Sequence, residues 1–236
     1  MHRLLRREHG PRPWSRQGSS LDVLVRAMLS QNTSWKNARE GYRRLKRDLP
    51  SWTAVERAPM EQVQSLIGVC GLGRQRAVRL QALLVKLRAD FGRPTIEPLR
   101  KLPVKEAADY LHGLHGIGPR TVNVTLLFAF DAPIFPVDNG ILRILKRSGL
   151  VPRLAGDDEA RAMVETHVAG PKRHELHVLL YGHGSSVCGP RKPRCDHCCL
   201  QPICTTGRRK LPRGSTVPFR LARQPGDGLP TDTAAA

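Results

Sequence analysis

Cys188, Cys195, Cys198 and Cys204 stand at the spacing C-x6-C-x2-C-x5-C, and a chain that gathers four thiols in so short a stretch must wrap it around something. A [4Fe–4S] cube takes one thiolate per iron, and loops this short are enough to enclose it. Structural zinc is the rival. It usually takes its ligands as two short pairs separated by a longer arm, whereas here one C-x-x-C is flanked by single cysteines at uneven distances. The spacing therefore predicts an iron–sulfur cluster, with zinc as the alternative. A disulfide framework fits least, because six cysteines in 236 residues fall far short of disulfide density. No secretory signal opens the chain, so a reducing, cytoplasmic setting is expected. Cys70 and Cys199 need no role as buried thiols, although Cys199, beside Cys198, is placed to exchange into the ligand set.

Charge narrows the partner. Thirty-nine Lys and Arg against twenty acidic residues give a net charge of +19, and a field of that sign gathers polyanions. No apolar run approaches the length of a spanning helix and no amphipathic basic helix carries the excess alone, which argues against a membrane partner. The cations are spread along the chain, with local groups at Arg43, Arg44, Lys46 and Arg47, at Arg191, Lys192 and Arg194, and at Arg208, Arg209 and Lys210. Any one group is explained by solvation of a surface; their sum points to nucleic-acid phosphates and to a nucleoid-associated location.

Apolar residues recur at helical spacing almost throughout, as in Leu21, Leu24, Val25, Met28 and Leu29, and again in Leu80, Leu83, Leu84, Leu87 and Phe91. No convincing strand alternation is present. Proline and glycine breaks divide the pattern into about ten short helices, which predicts an all-α protein. Residues 208–236 begin basic and then become rich in Pro, Gly, Thr and Ala, which predicts a disordered tail.

One break is more specific than the others. Leu114-His115-Gly116-Ile117-Gly118 separates a predicted helix over residues 104–112 from another that starts with Pro119, a residue suited to the first helical position. This predicts a helix-hairpin-helix. Gly116 and Gly118 let the backbone turn tightly and bring N–H groups, with the N-terminus of the second helix, against a DNA phosphate. A tight connector between packed helices is the plainer explanation, and the net charge weighs against it.

Eighteen residues beyond Arg120 comes Pro136-Val137-Asp138-Asn139-Gly140, a carboxylate at the predicted start of a helix. The hairpin, the V-D pair and the four-cysteine run stand in the order found in the endonuclease III family of helix-hairpin-helix DNA glycosylases, which this chain resembles over roughly residues 14–205. Leu29-Ser30-Gln31-Asn32-Thr33, Gly71-Leu72-Gly73 and Arg191-Lys192-Pro193-Arg194-Cys195 are also similar to that family.

The resemblance implies a two-lobed, all-α helix-hairpin-helix glycosylase fold: a six-helix barrel over residues 13–132 and a cluster lobe formed by residues 1–12 with 133–207. It implies double-stranded DNA with a damaged or mispaired base as partner, the base being flipped out of the stack for excision. By position, Gln31 or Asn32 would fill the gap left in the duplex and Leu72 would wedge the opposite strand, while an ordinary core leucine and a helix-end polar group are the plainer roles. Asp138 is the candidate catalytic residue, because a fixed carboxylate stabilises positive charge on the sugar and helps a nucleophile attack; it can also cap its helix. Arg191, Lys192 and Arg194 would meet the phosphate backbone, fixed by folding around the metal. A monomer is expected, since tracking a duplex needs no partner subunit.

Two departures change the chemistry. Bifunctional members of the family carry a lysine where this chain has Arg120, and a guanidinium is a poor nucleophile where a desolvated lysine is a good one. The expectation is a DNA N-glycosylase of base excision repair with weak or absent AP-lyase activity. A DNA-binding protein that recognises lesions without cutting, or a bifunctional enzyme using another amine such as Lys101, Lys105 or Lys146, are the alternatives. The family often follows its aspartate with Thr-His, whereas Asn139-Gly140 stands here, removing an imidazole from the pocket rim.

Overall fold

A computed structural model describes residues 1–16 and 18–210. Residues 211–236 of the predicted tail lie outside the described residues. Among those described there is no strand, and twelve α-helices follow one another: α1 His2–His9, α2 Ser20–Leu29, α3 Trp35–Asp48, α4 Trp52–Arg57, α5 Met60–Ile67, α6 Gly73–Phe91, α7 Val104–His112, α8 Pro119–Phe130, α9 Asn139–Ser148, α10 Asp157–His167, α11 Gly170–Ser186 and α12 Thr205–Lys210. Short 3₁₀ turns lie at Gly68–Cys70, Glu97–Lys101, Cys195–His197 and Gln201–Ile203. The count exceeds the ten helices read from the sequence because α4 and α12 span 6 residues each, too few for apolar periodicity to register. Local chemistry explains the starts. Ser34 and Ser51 accept the N–H groups of Asn37 and Ala54 at the heads of α3 and α4, and Ser19 forms a reciprocal capping box with Asp22 at the head of α2; each such cap stabilises its helix by about 1 kcal/mol.

The chain divides into two compact units, Arg16–Ala132 and Met1–Ser15 together with the segment from Pro133 onward. The first holds α2 to α8, seven helices with the short α4 included. Its core is built on α2, whose Leu21, Leu24, Val25, Met28 and Leu29 are all buried, and on Leu80, Leu83, Leu84 and Leu87 of α6. Phe91, expected in the same stripe, is only half-buried and packs instead against the Tyr110 ring at a centroid distance of 5.4 Å. Where α8 ends, Arg100 donates to the Ala129 carbonyl at 2.7 Å and places a cation at a helix C-terminus.

In the second unit α1 packs on α11. Leu5 of α1 is fully buried in a core made by Phe135, Ile141, Ile144, Leu145, Leu179 and Leu180, burial that favours docking by about 2 kcal/mol. Glu175 of α11 fixes the polar side of the same contact: it accepts from the His2 ring at 2.7 Å and the Arg12 N–H at 2.9 Å, and pairs with Arg6 at 3.2 Å.

Candidate functional site

In the first unit the predicted hairpin forms with α7 and α8 as its arms. Leu114 and Ile117, each 5% exposed, anchor the turn in the core, and the Ile117 N–H donates to the Leu114 carbonyl at 3.1 Å. Gly116 lies at φ +80°, a conformation that favours glycine, and a Cβ there would come within 3.1 Å of the Arg79 side chain, which would have to give way slightly. At Gly118, the N-cap of α8, a Cβ would meet nothing within 4 Å. Interior packing therefore imposes no glycine there. Arg120 is exposed on the first turn of α8.

Two further loops are tied to this hairpin. Gln31 lies just past α2, and its side-chain amide donates to the Gly116 carbonyl at 3.3 Å and to the Thr121 hydroxyl at 2.9 Å. Asn32, its neighbour, is exposed and adopts a left-handed conformation at φ 51°. Leu72, likewise left-handed at φ 51° and ψ 38°, heads α6. It is 66% exposed, which removes the core-leucine explanation. Together Leu72, Gly73, Arg74, Gln75, Val78, Arg79 and His115 line an open groove of about 620 Å³. Sequence reasoning missed Arg76. An arginine within a basic helical stretch reads as solvated, yet this one is buried and donates to the carbonyls of Gly71 at 2.8 Å, Met28 at 3.1 Å and Gln31.

The second unit carries Asp138 and the cysteines. Asp138 is 9% exposed and caps α9, one carboxylate oxygen accepting the Ile141 N–H at 2.6 Å. A Cβ on Gly140 would lie 3.1 Å from Oδ1 of Asp138, so a side chain there would press on the carboxylate. His177 of α11 contacts the Pro136 carbonyl through its ring at 3.0 Å and so supports the segment leading to Asp138.

Cys188, Cys195, Cys198 and Cys204 line one small pocket with Arg147, Pro193 and Gly207. Helix α9 reaches into this loop. Arg143 donates to the Cys188 carbonyl at 2.9 Å, and Arg147 donates to the Cys188 sulfur at 3.4 Å and the Gly189 carbonyl at 2.7 Å. Burial pushes the Cys198 thiol up to about 11, opposed by a backbone hydrogen bond at Leu200 and reinforced by smaller contributions from the three neighbouring sulfurs; a bound cation would relieve that mutual repulsion. Among the described residues, the trio of His, Cys, Asp and Glu ligand atoms mutually within 4.8 Å is His9, His183 and Cys199.

Cys199 stands apart from the four. It does not line the quartet's pocket but faces His9 and His183, because consecutive residues in an extended turn point apart. His183 hydrogen-bonds His9 at 3.1 Å through Nδ1, while its Nε2 lies 3.4 Å from the Cys198 sulfur. Burial pulls the His183 imidazole down to about 3 and pushes the Cys199 thiol up to about 12. Arg191, Lys192 and Arg194 are exposed, but Arg194 donates back to the Ser186 carbonyl, which turns its guanidinium toward its own loop.

The sequence model of the HhH-GPD superfamily of base excision DNA repair proteins matches residues 25–169. A candidate DNA glycosylase of Arabidopsis thaliana is 34% identical over 166 residues, covering 70% of this chain. Endonuclease III of Sulfolobus acidocaldarius is 26% identical, covering 77% of this chain and 80% of its own length. The chain spans 57% of the length of the Arabidopsis relative. A solved endonuclease III–DNA covalent intermediate superposes with a TM-score of 0.73 at 21% identity, covering 88% of this chain and 93% of that one. A thermostable thymine-DNA glycosylase superposes with a TM-score of 0.72 at 20% identity over the same shares.

The chain therefore belongs to the HhH-GPD superfamily of base excision DNA repair proteins. Within it, the all-helical fold is that of the endonuclease III-type DNA glycosylases.

Proposed function

We propose that this protein is a monofunctional DNA N-glycosylase of base excision repair that removes a damaged or mispaired base from duplex DNA, with Asp138 as its catalytic carboxylate. The observation that carries this reading is the pairing of a buried, helix-capping Asp138 with an arginine at position 120. As the N-glycosidic bond breaks, positive charge develops on the sugar, and a carboxylate held by the α9 N-terminus is already oriented to stabilise it. Water then adds at C1′ with Asp138 accepting its proton, and the base leaves with the bonding electron pair. Arg120 holds a phosphate or the lesion by hydrogen bonds, since a delocalised, always-protonated guanidinium does not attack the sugar.

The amides at Gly116 and Gly118 serve the phosphate backbone. Exposed, left-handed Leu72 is the wedge. Asn32 fills the gap, because the Gln31 side chain is committed to Gly116 and Thr121. Cys188, Cys195, Cys198 and Cys204 hold a [4Fe–4S] cluster, which organises the loop that displays Arg191, Lys192 and Arg194. The enzyme acts as a monomer. No described helix is long and apolar enough to cross a membrane.

The test compares direct strand cleavage with cleavage after hot alkali on duplexes that each carry one defined lesion. Breaks only after alkali are expected. Direct breaks trapped by borohydride would overturn the monofunctional reading, and lesion binding with neither kind of break would move the protein to a recognition role.

A further inference from the structure

Arg76 is 7% exposed, and its planar fork is spent on backbone carbonyls. Met28 lies in the last turn of α2 and Gln31 just beyond it, so two of these carbonyls belong to a helix end whose acceptors lack intrahelical partners. The third, Gly71, belongs to the turn that presents Leu72. Gln31 extends the connection by donating to Gly116 and Thr121 of the hairpin. Three surface elements that are far apart in sequence, 31–32, 71–73 and 116–121, thus share one hydrogen-bonded hub.

We propose that Arg76, with Gln31, is a positioning residue that locks the Leu72 loop, the Asn32 loop and the hairpin into a single base-opening element. This rests on the glycosylase reading above. Leu72 sits in the left-handed region, which a leucine holds only when its surroundings over-determine it, while Asn32 shares that conformation at lower cost. The Gly71 and Gln31 carbonyls on one guanidinium supply that determination from both sides. A lysine would keep the charge at the end of α2 but, as a single point donor, would not hold three carbonyls in one geometry.

Arg76→Lys tests this with two readouts. Amide exchange in the full-length protein should rise together at residues 31–32 and 71–73. Single-turnover excision should fall by about 10²-fold when the lesion is paired, as for a misplaced positioning group. It should change by less than about threefold when the lesion lies opposite an abasic gap, where little opening is needed. Exchange rising in one loop alone, or equal losses on both substrates, would overturn the proposal. If the wild-type protein excises neither substrate, the glycosylase reading fails while the paired exchange response still decides whether the hub exists.

Discussion

The carboxylate of Asp138 accepts the backbone N–H of Ile141 at 2.6 Å, so one side chain serves both the helix and the proposed chemistry. Asparagine caps a helix about as well as aspartate, whereas alanine does not. Asp138→Asn should therefore leave the unfolding midpoint nearly unchanged and lower base excision by at least about 10²-fold. Asp138→Ala should lose the same activity and about 1 kcal/mol of stability as well. Equal activity of the asparagine variant and the wild type would remove Asp138 from the mechanism.

Arg120 stands exposed on the first turn of α8, where a lysine is sterically acceptable. Arg120→Lys should produce a protein–DNA species trapped by borohydride that the natural protein does not form, because a neutral amine can attack C1′ where a guanidinium does not. Trapping that is equal in both proteins would locate the amine elsewhere.

The cysteine assignments separate by metal content. Cys198→Ser should abolish the brown absorbance and iron binding of the purified protein, while Cys199→Ser, whose sulfur lies outside the quartet's pocket, should retain both. Zinc in place of iron after anaerobic purification would refute the cluster.

Gly41 of α3 lies against Cys70. A Cβ at Gly41 would come within 2.5 Å of the Cys70 sulfur, which is itself buried. Glycine to alanine inside a helix ordinarily gains about 1 kcal/mol, but overpacking a tight contact costs about 1–3 kcal/mol. Gly41→Ala should thus be net destabilising in urea, and the sign should reverse when Cys70→Ala is present.

Glu175 links stability to acid. Burial opposes its charge, but the Arg12 N–H, the His2 ring and Arg6 together hold its carboxyl below the ordinary 4.5. A depressed folded value means the contribution is present above the unfolded value and is lost as pH falls through the folded one. The difference in Tm between the wild type and Glu175→Gln should be largest near neutral pH and shrink below about pH 4.5. A difference that is unchanged down to strongly acidic pH would mean the contact is not electrostatic.

The hairpin was legible because its signals are local: Pro119 at a helix start, two glycines, and apolar spacing on either side. That the four cysteines share one pocket was legible for the same reason, since so short a run encodes its own loop. Arg76 was not, because the carbonyls that bury it lie 45 and 48 residues away in sequence and nothing near Arg76 announces them. The commitment of the Gln31 side chain likewise hangs on Thr121, a partner 90 residues distant. Leu72 read equally well as core or surface until its left-handed backbone turned it outward.

Glu175 and the sulfur loop that completes its unit emerge from the ribosome long after His2, Arg6 and Leu5, which dock beside them. At roughly 5–20 residues per second, α1 waits on the order of ten seconds for α11, with Leu5 uncovered throughout. Arg16–Ala132 is a compact unit of its own, complete in sequence before that interval ends. Helix α1 is thus made well before the surface that buries it.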